Sequence, residues 1–324
     1  MMSTDPGLLL GRDDWSWTTL LTYYNGSHFI ESALSSVSLA LQRLIDRTSP
    51  RHHIELLVVD DCSSEDEAAK LREVTSRLVL PSCCHMIIVR LTVNSGVSAA
   101  RYEGLRRAKC SFIHIMDQDD EVKPDFYASV LVGYANAKGA NTEEILWIAG
   151  CEYIDAKGVV NGTNRLHSDE ASTRRLNDVN HWLSAGNQAR SPGMVVLSPS
   201  LREAAEQYFK SLDRSVDGSD DYWMFIYLLK RGAHFVITSE IGFRYRRHEL
   251  NQSIGHDFLA SSQRGLVIMH ELGVVSEREC RMATGRYRLQ SRLQRNPQSR
   301  IRKVSVCLSS PLAAWRLFRD RLRP

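Results

Sequence analysis

The chain has no apolar run approaching the roughly 18 to 20 residues that a membrane-spanning helix needs, although 43% of its 324 residues are hydrophobic. It contains no C-x-x-C. Its seven cysteines (62, 83, 84, 110, 151, 280 and 307) are odd in number and not spaced like zinc ligands, so they read as reduced thiols, several of them in the core. None of the eleven histidines forms H-E-x-x-H or clusters with cysteine, which argues against a zinc site. No G-x-G-x-x-G follows the first apolar segment and no G-x-x-x-x-G-K-[ST] occurs anywhere, which argues against a dinucleotide dehydrogenase and a P-loop NTPase. Internal repeats are absent, and no Pro/Ser-rich linker precedes about residue 255. The opening MMSTDPGLLLGRDDW carries three acids where a secretory signal would be basic. A cytoplasmic protein is expected.

Charge is uneven along the chain. Residues 276–324 hold 13 Lys and Arg against 3 acids, so the rest of this +3 molecule is acidic. Within the basic end, Trp315, Phe318 and Leu322 fall on one helical arc flanked by Arg316, Arg319 and Arg323. Such a helix lies in a headgroup plane with its arginines on anionic lipid, at the inner face of the membrane, or packs as a terminal helix. Nucleic acid is not an expected partner, because the body is acidic and no RNA motif or zinc-finger spacing occurs.

From residue 17 short apolar runs alternate with longer helical ones. WTTLLTYY (17–24), IELLVVD (54–60), MIIVRL (86–91) and FIHIMD (112–117) have the β-branched and aromatic content of strands. Residues 28–46, 64–80 and 97–109 between them have helical periodicity and are long enough for crossovers. This β-α-β-α-β-α-β order predicts an α/β fold with a parallel sheet covered on both faces. Beyond about 140 the alternation breaks. Strands are expected at 145–155 and 194–198, helices at 201–210 and 219–231, and two further strands around Glu240 within 234–247. This half should add antiparallel strands and one wall of a cleft.

In open α/β sheets ligands bind at the carboxyl ends of the strands. Those ends here carry Thr22, Tyr24 and Asn25, then Asp60 and Asp61, then Asp117, Asp119 and Asp120. Crowded carboxylates need a cation or hydrogen-bond donors, and an oxygen-only set favours Mg²⁺ or Mn²⁺ over zinc. Asp60 and Asp61 also fit a turn in which Ser63 or Ser64 caps the next helix. Arg101, after the Asn94-Ser95-Gly96 turn, fits either a structural salt bridge or contact with a ligand. Asp220 and Asp221 precede the apolar run YWMFIYLL, where an acid can cap a helix, act as a base, or do both. His248 fits a surface position as well as a ligand. Trp147, Trp182 and Trp223 read as core.

The segments LLTYYNGSHFIESALSSV, IELLVVDDCSSED, NSGVSAARYEGL, FIHIMDQDD, GSDDYWMFIYLLKRG and FRYRRHELNQS, in this order over residues 17–255, resemble glycosyltransferase family 2. The resemblance implies a GT-A-type fold, Rossmann-like and mostly parallel, flanked by helices, with added antiparallel strands and a C-terminal helical tail. It implies an N-terminal extension (1–16), a catalytic domain (17–255) with nucleotide-binding (17–140) and acceptor-binding (141–255) halves, and a basic helical region (256–324). It places Thr22, Tyr24 and Asp61 around a nucleotide base with Asp60 in support, puts Arg101, Asp117 and Asp119 in the nucleotide site, and assigns Asp119, Asp120 and His248 to the metal. Asp221 falls on the catalytic base. The pattern is broken by Cys62, where glycine is frequent, by Tyr102, where asparagine is, and by a long segment between 38 and 53.

The implied activity is a metal-dependent inverting transfer of a sugar from a nucleotide diphosphate, UDP by resemblance. The acceptor is a hydroxyl of a glycan or lipid-linked acceptor in surface polysaccharide synthesis. The competing expectation is a catalytically silent module of the same fold that binds nucleotide or scaffolds an assembly at the membrane.

Overall fold

A computed structural model describes residues 15–48, 53–137, 144–249, 251 and 257–295. The basic arc at 311–323 and most of the 1–16 extension lie outside the described residues. No helix among the described residues is long and apolar enough to cross a membrane.

The parallel half forms as the pattern predicts. Strands β1 (Trp17–Tyr23), β2 (Ile54–Asp60), β3 (Cys84–Arg90) and β4 (Phe112–Asp117) lie in the order β3-β2-β1-β4. They are joined by helices α1 (Ile30–Asp46), α2 (Glu65–Arg77) and α3 (Val97–Arg107). Every residue of β1 and β2 is buried, as expected for strands covered on both faces. The seven apolar residues that α1 buries, from Ile30 to Leu44, form its sheet-facing stripe. The strands start level: Trp17 pairs with Ile54 and with Phe112, and Ile54 with Cys84. Their carboxyl ends are therefore level too, with Tyr23 beside Asp60 and Thr22 beside Asp117. Side chains from three separate sequence stretches thus share one edge.

Beyond β4 the sheet is mixed. The short β8 (Val195–Leu197) is antiparallel to β4 and to β6 (Ile145–Ile154), and β6 carries a hairpin partner, β7 (Val160–Asn164). β9 (His234–Arg246) runs parallel to β6 and closes against the two-residue β5 (Glu121–Val122). Here the structure corrects the expectation of two strands around Glu240: β9 is one strand of 13 residues. Glu240 faces solvent, held by Arg165 (3.1 Å) and His167 (3.3 Å), and the pairing with β6 skips residues 240–242 there while the strand continues. Register slips on β6 on either side of Ala149 absorb the irregularity. Gly150 permits them, since a Cβ there would sit 2.0 Å from the Glu240 carbonyl oxygen.

Helices α4 (Phe126–Asn136), α5 (Glu170–Leu176), α6 (Val179–Ala185), α7 (Arg202–Lys210) and α8 (Asp220–Lys230) complete the cover. Trp147, Trp182 and Trp223 are fully buried core residues. α9 (Asp257–Glu271) and α10 (Glu277–Arg295) dock on α8 and α6, and Leu266, Met269, Ala283 and Tyr287 join the main hydrophobic core. Up to Arg295 the carboxyl-terminal region is thus part of the globule. A buried chain of hydrogen bonds runs Trp17 to Thr19 to Tyr127 to His114 to the Gly193 carbonyl. It ties β1, α4 and β4 to the segment between α6 and β8.

Candidate active site

At the level edge of the parallel strands lies a cavity of about 860 Å³. Its first wall is built by β1, β2 and the turn before α3. The Thr22 hydroxyl donates to Asp117 Oδ1 at 3.2 Å. The Asp61 carboxylate accepts the backbone N–H of Ser95 and of Gly96, each at 2.7 Å. Burial pushes its carboxyl up, and these two N–H groups oppose the shift. Gly96 has φ +92°, and a Cβ there would fall 2.1 Å from Asp217 Oδ2, so glycine is required on both counts. Asp60 does not line the cavity. It accepts from the Ser63 N–H at 2.9 Å and pairs with Arg90 at 3.4 Å, bracing the turn while Ser64 caps α2. Exposed Tyr24 opens onto the cavity, its backbone clamped by the Gln118 side chain at 2.7 and 3.1 Å.

A second group of acids surrounds Arg101. Its guanidinium bridges Asp117, at 2.6 Å, and Asp220, so the salt-bridge reading describes this residue, at the cavity wall. Burial works against its charge, but Asp117, Asp220 and Asp221 outweigh it and raise its pKa. Three carboxylates therefore share one cation. Asp117 and Asp220 touch it. Asp221, in the first turn of α8, is paired with no cation and accepts from Asn187 Nδ2 at 3.2 Å and from the Tyr222 N–H. Burial, then the neighbouring Asp220 charge, push Asp221 up to about 7, whereas the Arg101 contact opposes the rise that burial imposes on Asp220. The Ser219 side chain makes no capping hydrogen bond to α8, and Asp221 sits in the helix's first turn.

The third group follows β4 and β9. Asp119 Oδ2 lies 2.7 Å from His248 Nε2 and accepts from Asn251 Nδ2 at 3.3 Å. Asp120, expected as a metal ligand, is placed differently. It is 1% exposed, with one oxygen taken by the Ser191 hydroxyl at 2.7 Å and the other by the Arg246 N–H at 2.9 Å. Burial, with Asp119 and Asp117 nearby, raises its carboxyl well above the usual range, so it braces the loop rather than offering a free anion. Arg246 is likewise internal, paired with Glu121. Among the described residues no three of His, Cys, Asp and Glu are arranged so that they could hold a metal ion together. Asp119 and His248 are a two-donor pair on the cavity, which fits an ion that keeps water and takes phosphate oxygens, as Mg²⁺ and Mn²⁺ do.

Several lining residues escaped the sequence reading, among them Asn187, Asp217, Arg190 and Arg214. Asp217 accepts from the Ser98 N–H (3.1 Å) and hydroxyl (2.6 Å), joining α3 to the segment before α8. Nothing in its sequence neighbourhood announces that contact. Asn251 was within reach, since it lies three residues after His248.

Residues 18–145 match the model described as Glycosyl transferase family 2. Over these residues the chain is similar to family 2 glycosyltransferases. One relative, described as a teichuronic acid biosynthesis glycosyltransferase, TuaG of Bacillus subtilis (strain 168), is 31% identical over 105 residues, 32% of this chain and 35% of that protein. The match thus spans about a third of the relative's length. S. aureus TarS superposes with a TM-score of 0.55 at 14% identity, over 84% of this chain and 43% of TarS. TarS 1-349 in complex with UDP-GlcNAc gives 0.54 at 13% identity, over 78% and 66% of the two chains. GalNAc-T7 with UDP, GalNAc and Mn2+ gives 0.50 at 13%, over 79% and 48%. Around the matched region the fold is that of the GT-A class, a largely parallel sheet covered by helices with the mixed strands appended. Asp61, Asp117 and Asp119 lie inside the matched region, while Asp221 and His248 come from beyond it.

Proposed function

We propose that the chain transfers a sugar, with inversion, from a UDP-linked donor to a hydroxyl of a cell-wall or surface glycan. The observation that carries this is Asp221, a carboxylate beside the cavity that is raised to about 7 and touches no cation. Such a group is half-ionised near neutrality and suits removal of a proton from an incoming hydroxyl. The acceptor oxygen then bonds to the anomeric carbon as the bond to the diphosphate breaks, in one displacement of the kind that inverting glycosidases use with water.

Thr22, Tyr24 and Asp61 are assigned to the nucleoside end, with Asp60 holding the turn behind them. Asp119 and His248 are assigned to a divalent cation. When bound, that cation would offset the charge of the diphosphate, alongside Arg190, Arg214 and Arg247 on the cavity wall. Arg101 is assigned the holding of Asp117 and Asp220, which leaves Asp221 unneutralised. The UDP assignment draws on TarS, solved with UDP-GlcNAc, and the glycan class on the description of TuaG.

Asp221→Asn should lower transfer, followed as UDP release with an acceptor present, by about 10²-fold or more, within the range assigned to general-base catalysis. UDP affinity should stay within a few-fold. An equal loss of UDP affinity would remove the base assignment.

A further inference from the structure

One buried charge on the cavity wall has no part in the scheme above. Of the three buried arginines among the described residues, Arg101 and Arg246 are ion-paired with carboxylates. Arg286, on α10, is not. It is 5% exposed, and its Nη1 donates to the Trp182 carbonyl oxygen at 3.1 Å and the Tyr222 hydroxyl at 3.0 Å. The rings of Tyr287 and Tyr222 lie 4.5 and 5.1 Å away, and the Tyr287 hydroxyl is a further hydrogen-bond partner. All these partners are neutral, and the buried Nε has no partner at all. A guanidinium taken out of water without a counter-charge is costly. The residue lines the cavity, and an arginine without a counter-charge there is suited to a carboxylate or a phosphate.

Two elements connect this cation to the base, each through a residue adjoining either Asp221 itself or a contact of Asp221. On α8, Tyr222 meets Arg286 and the preceding residue is Asp221. After α6, Asn187 reaches Asp221 and the preceding Gly186 faces Arg286. Gly186 has φ +98°, and a Cβ there would stand 3.3 Å from Arg286 Nη1, so the glycine leaves the guanidinium uncrowded on that side. Phe258, Ser262 and Gln290 of α9 and α10 line the same part of the cavity.

We propose that Arg286 recognises an anionic group, carboxylate or phosphate, on the acceptor, close to the hydroxyl that receives the sugar. The proposal rests on the transferase reading and adds its acceptor class.

The test uses the full chain saturated with UDP and Mn²⁺, so that the diphosphate position is filled, titrated calorimetrically with glucuronate and with glycerol 1-phosphate. Glucose and glycerol are the neutral controls. At least one anion should bind and neither control should, and which anion binds identifies the group. Arg286→Gln should weaken that anion at least tenfold with UDP affinity unchanged. Gln290→Glu sets a carboxylate one helical turn from Arg286, where it can pair with it. It should have the same effect while leaving the Trp182 and Tyr222 contacts in place, and Phe258→Glu, which puts the same charge on that part of the cavity from α9, should weaken the anion less, separating pairing with Arg286 from plain repulsion. If Arg286→Gln fails to fold, the comparison of Gln290→Glu with Phe258→Glu decides, and equal weakening by the two overturns the proposal. Absence of anion binding to the unaltered chain, equal binding of the neutral controls, or unchanged anion affinity in Gln290→Glu would overturn the proposal. Failure to bind UDP overturns only the donor assignment, since the anion arms can then be read without nucleotide.

Discussion

Asp117 and Asp220 both touch the Arg101 guanidinium, and Asp221, one position further along α8, does not. That difference sets the pH behaviour expected of the protein. With Asp221 held near 7, the transfer rate should climb with pH through about 7 and level off above it, because only the ionised carboxylate accepts the acceptor proton. An acid limb in the ordinary carboxylate range, near 4, would contradict the assignment. The same shift affects stability. Between 3.8 and about 7 the folded chain keeps a proton on Asp221 that the unfolded chain releases, so this residue's contribution declines as pH rises across that window. Asp221→Asn should therefore raise Tm more at pH 8 than at pH 4. The sequence makes the acid pair visible. Which of the two is neutralised depends on a guanidinium that arrives from α3, 119 residues away in the chain.

The parallel half was legible at the level of elements, because β1, β2 and β4 are buried on both faces and so are written as short runs dominated by apolar, β-branched and aromatic residues. β9 was not. Partly buried on both sides and interrupted by Glu240, it lacks the two-residue alternation that marks a half-buried strand, and its continuity comes from pairing with β6 over most of its length. Gly150 is where the two strands come closest. Gly150→Ala should destabilise the chain by roughly 1–3 kcal/mol, the usual cost of overpacking, because the Cβ would meet backbone oxygens of Glu240 and Asn164 that cannot rotate aside. Denaturant unfolding measures this, and a change under ~0.5 kcal/mol would mean that the β6–β9 slip is soft.

Across the whole molecule, the cavity joins residues that begin at Thr22 and end at Gln290. Asp119 and Asp120, adjacent in sequence, separate in role because the chain brings His248 and Asn251 to one, Ser191 and the Arg246 backbone to the other. Asp119→Asn should therefore abolish the Mn²⁺-dependent gain in UDP affinity, whereas Asp120→Asn should preserve it, as read by thermal shift with and without the metal. Loss of the gain in both would return Asp120 to the cation.

Local composition by itself determined the alternation of strands and helices up to residue 140 and the appearance of acids at strand ends. Both follow from short-range rules, burial periodicity and where a strand must stop. Only the tertiary structure decided which acid is free, which is braced, and that Arg286 stands without a counter-charge. A carboxylate's state is fixed by the charges and N–H groups within a few ångströms of it, and the fold gathers those from stretches more than a hundred residues apart.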